Sequence, residues 1–282
     1  IFALTTRFDR IFYKHQRLMK IKTVHLVYFS ATYTTRTVAR CMAQAMGCET
    51  VEHDVTCSVP QEETALTSDG ELLIAAAPVY AGRIPGRMAE ALRMFSGSGT
   101  PAIVVCVYGN RDYDDALVEL QNCVEAQGFR AVAAAAFICR HCIFPAVAAG
   151  RPDDADMQKA ADFAAHCASL LADTGDIAML PALKVKGNRP YKQGGASTFC
   201  PTGDASLCTK CLTCVSLCPV NAIPEADPCA TDSARCMACG RCVVVCPHGA
   251  RMFRGEAYAA FGAKFTAAFS ARKEPEMFFP EV

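Results

Sequence analysis

Two stretches near the end of the chain repeat one pattern of cysteines: residues 208–219 read CTKCLTCVSLCP, and residues 236–247 read CMACGRCVVVCP. Both follow C-x2-C-x2-C-x3-C-P, and each cysteine of the first stretch recurs 28 residues later, beginning with Cys208 and Cys236. Three cysteines at such short intervals can present three thiolates from one tight loop, whereas a fourth thiolate must come from elsewhere. The repeat therefore predicts two sites with four thiolates each.

The spacing is the one that holds two [4Fe-4S] clusters in bacterial-type ferredoxins, where the fourth cysteine of each run binds the cluster of the other run. On this rule the predicted ligands of cluster I are Cys208, Cys211, Cys214 and Cys246, and those of cluster II are Cys236, Cys239, Cys242 and Cys218. Structural zinc also favours C-x-x-C pairs, but two triple-interval runs that end in Cys-Pro fit zinc poorly. Residues 204–254 are therefore predicted to form a small α+β ferredoxin domain with two clusters.

Composition limits what the remainder of the chain can be. The 282 residues leave room for a second domain, and 52% hydrophobic with 20% charged residues suits a globular protein with a core. A net charge of zero without a basic run does not favour nucleic acid as a partner. The most apolar stretch, residues 131–150, is interrupted by Arg140, His141 and Pro145, so we expect no membrane span.

Cysteine content and the first residues bear on the compartment. Eighteen cysteines fit a reducing, anaerobic cytoplasm, where thiols stay reduced. Residues 1–20 carry several charges where a signal peptide has an apolar core. We expect these residues to be an unstructured extension and the protein to be cytoplasmic.

Residues 21–174 alternate strand patterns with helix patterns. The predicted strands, which are apolar or β-branched, are residues 23–29, 51–55, 71–77, 101–107 and 131–138. The predicted helices are residues 35–46, 112–127 and 153–172. This alternation predicts an α/β domain, a doubly wound parallel five-stranded sheet with helices on both faces. In such sheets ligands bind beyond the carboxyl ends of the strands, at the switch point of the winding.

Three loops at these strand ends carry the candidate ligand-binding residues. The first, SATYTT at residues 30–35, places four hydroxyls at the start of a helix, as a phosphate monoester requires. Hydroxyl residues are also ordinary helix caps, so this loop alone is weak support. The other two, PVYAGRIP at residues 78–85 and YGNRDY at residues 108–113, each combine an aromatic ring, a glycine and an arginine.

These loops, followed by HCIFPAVAAGRPDDAD at residues 141–156, a linker at residues 175–203 and the doubled cysteine run, resemble the bacterial flavodoxin-ferredoxin fusion proteins. The resemblance implies a flavodoxin-like fold for residues 21–174 and the binding of FMN. By position, the implied phosphate ligands are Ser30, Thr32, Thr34 and Thr35. The residues implied to frame the flavin ring are Pro78, Val79, Tyr80, Ala81, Gly82, Tyr108, Gly109, Asn110 and Arg111.

One residue departs from the usual flavodoxin loop, in which glycine is common where this chain has Tyr33. A tyrosine is strained if that position requires a positive φ. We therefore expect a lower affinity for FMN than in a typical flavodoxin.

Several charged and sulfur side chains have two interpretations. Arg83 and Arg111 are candidates to lie near the flavin, where a cation raises the potential, whereas Arg87 is expected to be a solvated surface residue. The C-x-x-C of Cys139 and Cys142 suggests a redox dithiol, but no helix follows it directly, as that chemistry requires. Two cysteines outside the repeats, Cys200 and Cys229, are predicted to be spare thiols.

The predicted function is electron transfer between FMN and two [4Fe-4S] clusters, with soluble redox proteins as partners. The alternative is a flavin-dependent reductase of a quinone or a small oxidised metabolite, for which His141 and Tyr113 are the candidate proton donors. A flavin face sealed against the ferredoxin domain would favour the carrier. A redox sensor is a third and weaker alternative. Residues 255–282 are predicted to form a helix and tail that pack back on a domain.

Overall fold

A computed structural model describes residues 20–67, 69–195 and 197–281. Apart from Lys20, the predicted N-terminal extension lies outside the described residues, so its disorder stays a prediction.

The first domain alternates strands and helices as predicted. In chain order its elements are β1 (Thr23–Tyr28), α1 (Thr34–Ala45), β2 (Glu49–Asp54), β3 (Thr64–Leu66), β4 (Glu71–Pro78), α2 (Gly86–Leu92), β5 (Phe95–Gly97), β6 (Thr100–Tyr108), α3 (Ala116–Glu125), β7 (Phe129–Ile138) and α4 (Asp154–Asp173). After a 3-10 turn at Ile177–Met179 come β8 (Thr202–Gly203), α5 (Thr213–Ser216), α6 (Arg241–Val244), β9 (Arg251–Met252), α7 (Glu256–Ala268) and β10 (Glu276–Phe278).

The main sheet has the strand order β10-β7-β6-β4-β1-β2. From β2 to β7 all neighbours are parallel. With the short separate pair β3 and β5 set aside, these five strands follow the order 2-1-3-4-5 of flavodoxin-like folds. The predicted flavodoxin-like fold is therefore confirmed. The sixth strand, β10, was not predicted: it comes from the C-terminal tail and pairs antiparallel with β7.

The core lies on both faces of this sheet because its central strands are apolar throughout. All nine residues of β6 are buried, as expected for a parallel strand covered on both sides. On one face α1 and α4 contribute Val38, Met42 and Phe163, and on the other α2 and α3 contribute Met88 and Leu117. Each such side chain stabilises the fold by about 1.5–3 kcal/mol through its burial.

Helix α3 begins at Ala116, later than the predicted start at residue 112. The Asp112 carboxylate accepts a hydrogen bond from the amide of Asp114, and Asp114 has a left-handed backbone with φ 43°. Aspartate side chains compete with helical hydrogen bonding in this way. The acidic residues thus form a turn before the helix, which puts Tyr113 outside it.

The cysteine-rich module repeats its backbone as well as its sequence. Left-handed residues recur at corresponding positions of the two runs, in the pairs Lys210 and Ala238, Leu212 and Gly240, and Asn221 and Gly249. Helices α5 and α6 follow the second of these pairs, and β8 pairs antiparallel with β9 to join the two ends of the module.

The linker runs along α3 of the first domain. The Asp115 carboxylate accepts hydrogen bonds from the amides of Asn188 (2.7 Å) and Lys192 (2.5 Å), and Gln121 donates to the carbonyl of Leu183 (3.0 Å). Leu183 is itself buried in the core. These contacts hold the segment before the cysteine-rich module on the flavodoxin-like domain.

Candidate functional site

The eight predicted cluster ligands lie around two separate cavities. The first, cavity I, is lined by Cys208, Cys211, Cys214 and Cys246. The second, cavity II, is lined by Cys218, Cys236, Cys239 and Cys242. Each cavity therefore combines three cysteines of one run with the fourth of the other. These are the sets that the crossing rule predicts, and their role as ligands stays a prediction.

Backbone amides point at several of these sulfurs. Ala222 donates to the sulfur of Cys218 (3.3 Å), Ala238 to that of Cys236 (3.4 Å) and Ala250 to that of Cys246 (3.2 Å). Such bonds stabilise thiolates and tune the potential of an iron-sulfur cluster. Among the described residues, no three His, Cys, Asp or Glu side chains are arranged to hold a single metal ion.

The two predicted spare thiols lie next to predicted ligands. Cys200 is within hydrogen-bonding reach of Cys236, and Cys229 is within reach of Cys208. Neither thiol lines cavity I or cavity II.

The first candidate loop presents two of its four hydroxyls to a cavity of about 350 Å³. Thr32 and Thr34, whose hydroxyls are 3.4 Å apart, line this threonine cavity together with Arg140, Gly240 and Tyr258. Ser30 instead accepts a hydrogen bond from the amide of Arg36 (3.0 Å), and Thr35 is buried. The structure thus separates two hydroxyls that face the cavity from two that lie inside the loop.

Tyr33 has a left-handed backbone, with φ 68°, at the N-cap position of α1, where its own side chain makes no capping hydrogen bond. This conformation costs a residue other than glycine about 1–2 kcal/mol. Two guanidinium groups lie over the Tyr33 ring, that of Arg36 at 4.5 Å and that of Arg241 at 4.8 Å from the ring centre. The strain expected at this position is therefore present, and cation–π contacts offset part of it.

The second and third loops border another cavity of about 340 Å³. Four of the predicted ring contacts line this loop cavity, namely Val79, Tyr80, Ala81 and Arg111. His141, Cys142 and Ile143 line both the loop cavity and the threonine cavity. Each of the three candidate loops has one residue other than glycine with positive φ: Tyr33, Ala81 (52°) and Asn110 (63°). Strained residues of this kind cluster at functional sites.

The other predicted ring contacts do not line the loop cavity. A Cβ at Gly82 would meet the Asp114 carboxylate at 2.4 Å, and one at Gly109 would meet the His141 ring at 2.5 Å. Tyr108 packs edge-on against Tyr113 at 5.3 Å, and Pro78 ends β4. These residues therefore pack against other parts of the loops and do not border the loop cavity.

Asn110 is occupied by the C-terminal tail. Its side-chain amide donates to the carbonyls of Phe269 and Ala271, both at 2.8 Å. Its Oδ1 is buried without a hydrogen-bond partner among the described residues.

Arg83 and Arg111, the two arginines predicted to lie near the flavin, are both paired with carboxylates. Arg83 forms a two-point ion pair with Glu119 (2.7 and 2.6 Å) and stacks on Tyr191 of the linker at 4.8 Å. Arg111 pairs with Asp114. The charges of both are thus balanced by carboxylates, which weakens the idea that they act as free cations beside a flavin.

Arg87 is not the solvated surface residue that its position suggested. It donates to the carbonyl of Cys57 (3.4 Å) and to that of Pro219 (2.5 Å), which follows the crossing cysteine of cavity II. Arg87 therefore joins α2 to the cysteine-rich module.

The cysteine-rich module contacts the candidate loops through the segment that lines cavity II, a contact that the sequence analysis missed. The Arg241 guanidinium donates to the carbonyl of Ala31 (3.2 Å), and the Cys142 thiol to that of Ala238 (3.7 Å). A Cβ on Gly240 would lie 3.2 Å from the Cys142 carbonyl oxygen and 3.5 Å from Thr32. The one available signal was the difference between the two runs, which have Leu-Thr and Gly-Arg at corresponding positions.

The Cys139 and Cys142 pair lacks the activated thiol of a dithiol redox site. Burial raises the pKa of Cys139 well above its usual range, and it raises that of Cys142 to about 12. Redox dithiols need a lowered thiol pKa, so the structure gives that interpretation no support.

The strand order and the cysteine cavities define the class of protein: a flavodoxin-like domain followed by a cysteine-rich module of the ferredoxin type. Residues 201–223 and 230–252 match the family of 4Fe-4S binding domains. No curated protein sequence matches the chain.

Solved structures of flavodoxins are similar to part of the chain. An archaeal flavodoxin has a TM-score of 0.38 at 11% identity, covering 53% of this chain and 98% of its own. The flavodoxin of Streptococcus pneumonia TIGR4 has a TM-score of 0.39 at 16% identity, covering 52% and 99%. An NADH:FMN oxidoreductase in its apo form has a TM-score of 0.38 at 13% identity, covering 54% and 91%.

Within the described residues, no helix combines the length and the apolar character needed to cross a membrane.

Proposed function

We propose that this protein carries electrons between two [4Fe-4S] clusters and FMN, with a soluble redox protein as its partner. The observation that carries the proposal is the contact between the two candidate sites. The segment lining cavity II lies directly on the loops predicted to bind FMN, through Arg241 and Gly240. An electron carrier needs its cofactors close together, and this contact brings the two candidate sites next to each other.

The residues present suit both kinds of cofactor. Four thiolates around each cavity match the ligand number of a [4Fe-4S] cluster. The threonine and loop cavities adjoin at three shared lining residues, and the threonine cavity lies at the N-terminus of α1. Helix N-termini attract phosphate groups through free amides and the helix dipole. Thr32 and Thr34 would hold the phosphate, and Val79, Tyr80 and Ala81 would border the ring.

FMN can exchange one or two electrons, whereas each cluster exchanges one. The protein's part is to position these groups and to keep water out. An aromatic cluster borders the loop cavity, where Phe144 packs against Phe265 of α7 at 4.9 Å and against Phe199 of the linker at 5.9 Å. Tyr258 of α7 fixes the arrangement by donating to the carbonyl of Ile143 (2.8 Å).

Cavity I and cavity II differ in what surrounds them. Cavity II lies against the flavodoxin-like domain, whereas at cavity I the side chains of Cys211 and His248 are exposed. Leu207, next to Cys208, is 47% exposed. We assign this exposed side to the soluble partner, so that electrons pass between the partner and FMN by way of cavity I and then cavity II.

The reductase alternative needs a proton donor, and both candidates are poorly suited. Burial lowers the pKa of His141 to about 4, helped by the charge of Arg111, and its Nδ1 accepts hydrogen bonds from the amides of Ile143 (3.2 Å) and Phe144 (3.1 Å). His141 is therefore neutral near pH 7. Tyr113 is buried and donates to Glu276 (2.9 Å), and burial raises its pKa above the usual range. These environments favour the carrier.

Anaerobic reconstitution with iron, sulfide and FMN tests the proposal. The expected result is about eight iron atoms and one FMN per chain, with the EPR signals of two clusters after reduction. Cys200→Ser is the matched control, since this thiol lies beside Cys236 but outside cavity II, and the variant should retain all of the iron. A yield of four iron atoms in the wild type would contradict the two-cluster assignment. The absence of FMN binding in a fluorimetric titration would contradict the FMN site.

A further inference from the structure

Arg241 is a buried cation without a carboxylate partner among the described residues. It is 7% exposed, and it makes one hydrogen bond, from Nη1 to the carbonyl of Ala31 at 3.2 Å. Its Nε is buried without a partner in the described part of the chain. Burying a charge is costly unless an opposite charge or a set of hydrogen bonds compensates. The surroundings of Arg241 therefore lack the negative charge that its burial requires.

Arg241 borders cavity II, where a bound cluster would supply such a negative charge. Arg241 lines cavity II, one position before Cys242 and two after Cys239, and its guanidinium group contacts the first candidate loop. Four thiolates give a bound [4Fe-4S] cluster a net negative charge, which increases by one when the cluster accepts an electron. A cation held beside such a group in a poorly solvated site stabilises the more negative, reduced form.

Cavity I has no counterpart of this arginine. The residue corresponding to Arg241 is Thr213, whose side chain is neutral. A second buried arginine, Arg251, lines both cavities and lies within hydrogen-bonding reach of the Cys242 thiol of cavity II. Arg235 precedes Cys236 but is exposed, where water and salt screen its charge. Arg241 is thus a buried cation at cavity II whose corresponding position in cavity I holds a neutral residue.

We propose that Arg241 raises the reduction potential of cluster II and so favours the passage of electrons from cluster I towards the flavin-binding side. The inference rests on the proposed function, since it requires both clusters to be bound. In this step one electron supplied by the soluble redox partner leaves cluster I and reaches cluster II, and no bond is formed or broken. Arg241 acts through its positive charge and touches no reacting atom of a substrate.

EPR-monitored redox titration of the reconstituted full-length protein tests the proposal. Arg241→Met keeps the length of the side chain and removes the charge, so we expect the midpoint potential of cluster II to fall while that of cluster I stays unchanged. Arg241→Lys retains the charge and should recover most of the wild-type potential. Arg235→Gln, the exposed control, should move neither potential. The signals are assigned with Cys211→Ala, which removes a ligand of cluster I.

The complementary variant Thr213→Arg places a cation at the corresponding position of cavity I. It should raise the potential of cluster I, and it tests the proposal even if Arg241→Met fails to retain cluster II. The proposal is overturned if Arg241→Met holds eight iron atoms and one FMN yet leaves both potentials unchanged. It is also overturned if the variant weakens FMN binding without changing either potential, because the counter-charge of Arg241 would then be the FMN phosphate. Failure of the proposed function would be seen earlier, in the cofactor content of the wild type.

Discussion

Cavity I and cavity II are built from the same cysteine spacing and the same backbone turns, yet they lie in different surroundings. Cavity II contacts the flavodoxin-like domain through Arg241, Ala238 and Pro219, whereas Cys211 of cavity I is exposed. The cysteines do not account for this difference, because each recurs at the same offset. It arises from the residues between them, which shows that the ligand pattern and the environment of a cluster are specified separately.

Gly240 and Arg241 illustrate this separation. Gly240 has φ 74° and lies close to the Cys142 carbonyl and Thr32, where the first run has the bulkier Leu212. Leucine there would crowd the first candidate loop, so glycine permits the close approach. Arg241 then supplies the hydrogen bond to Ala31 and the contact with the Tyr33 ring. Two residues that differ between the runs thus allow cavity II to contact the flavodoxin-like domain.

Removing a single cluster ligand should have the largest effect, and a loss from cavity II should change unfolding differently from a loss from cavity I. Cys239 belongs to the hydrophobic core of the flavodoxin-like domain, whereas Cys211 does not contact it. Both Cys239→Ala and Cys211→Ala should lose about four of eight iron atoms, because each removes a ligand of one cluster. Bound metal contributes its binding free energy to folding. Only Cys239→Ala should also separate thermal unfolding into two transitions, as followed by calorimetry.

Cys229→Ser serves as the control for this pair, since its thiol is beside Cys208 but outside cavity I. It should retain the iron and the unfolding profile of the wild type. The same unfolding profile for both alanine variants would show that cavity II has no special connection to the flavodoxin-like domain.

The parts of the molecule that could be predicted depend on neighbouring residues in the chain. The buried strands were found because parallel strands covered on both faces are continuous apolar runs, and the two sets of cysteines because their spacing is short and regular. Strand β10 could not be found in this way, since Glu276, Met277 and Phe278 have no strand pattern of their own and pair with β7 only because the tail passes it.

The arginines show the same limit at the candidate site. Arg83 was expected near the flavin, but its partner Glu119 lies on a helix 36 residues further along the chain. Arg87 was expected in solvent, but its acceptor Pro219 belongs to the other module. Charge and spacing identify such residues as candidates, while their partners are set by the packing of distant elements.

Arg87 provides the next test of the comparison, with a smaller expected effect. Arg87→Ala removes the hydrogen bond from α2 to the Pro219 carbonyl of the segment around cavity II, together with a second one to the carbonyl of Cys57. Leaving the Pro219 carbonyl without its donor should cost about 1–3 kcal/mol of stability, measured as a shift of the denaturation midpoint of the reconstituted protein. Arg93→Ala, at the exposed end of the same helix, should change stability by no more than about 0.5 kcal/mol. Equal effects for the two variants would mean that the contact of Arg87 does not stabilise the interface.

Tyr33 should give the smallest effect, because two opposing contributions meet at this residue. Glycine relieves the left-handed strain, worth about 1–2 kcal/mol, but it removes the ring that contacts Arg36 and Arg241, whose cation–π contacts are worth about 0.5–1 kcal/mol each. Tyr33→Gly should therefore change overall stability by less than about 1 kcal/mol. FMN affinity should increase by less than about tenfold, since the loop no longer has to maintain the strain.

Fluorimetric titration with FMN measures this difference, and Tyr33→Phe is the matched variant because it retains both the strain and the ring. It should bind FMN as the wild type does. Tight binding by the wild type that is unchanged in Tyr33→Gly would show that the strain does not limit affinity. Because the Tyr33 ring also supports Arg241, Tyr33→Gly should in addition shift the potential of cluster II in the direction expected for Arg241→Met, but by less, since the hydrogen bond to Ala31 is retained.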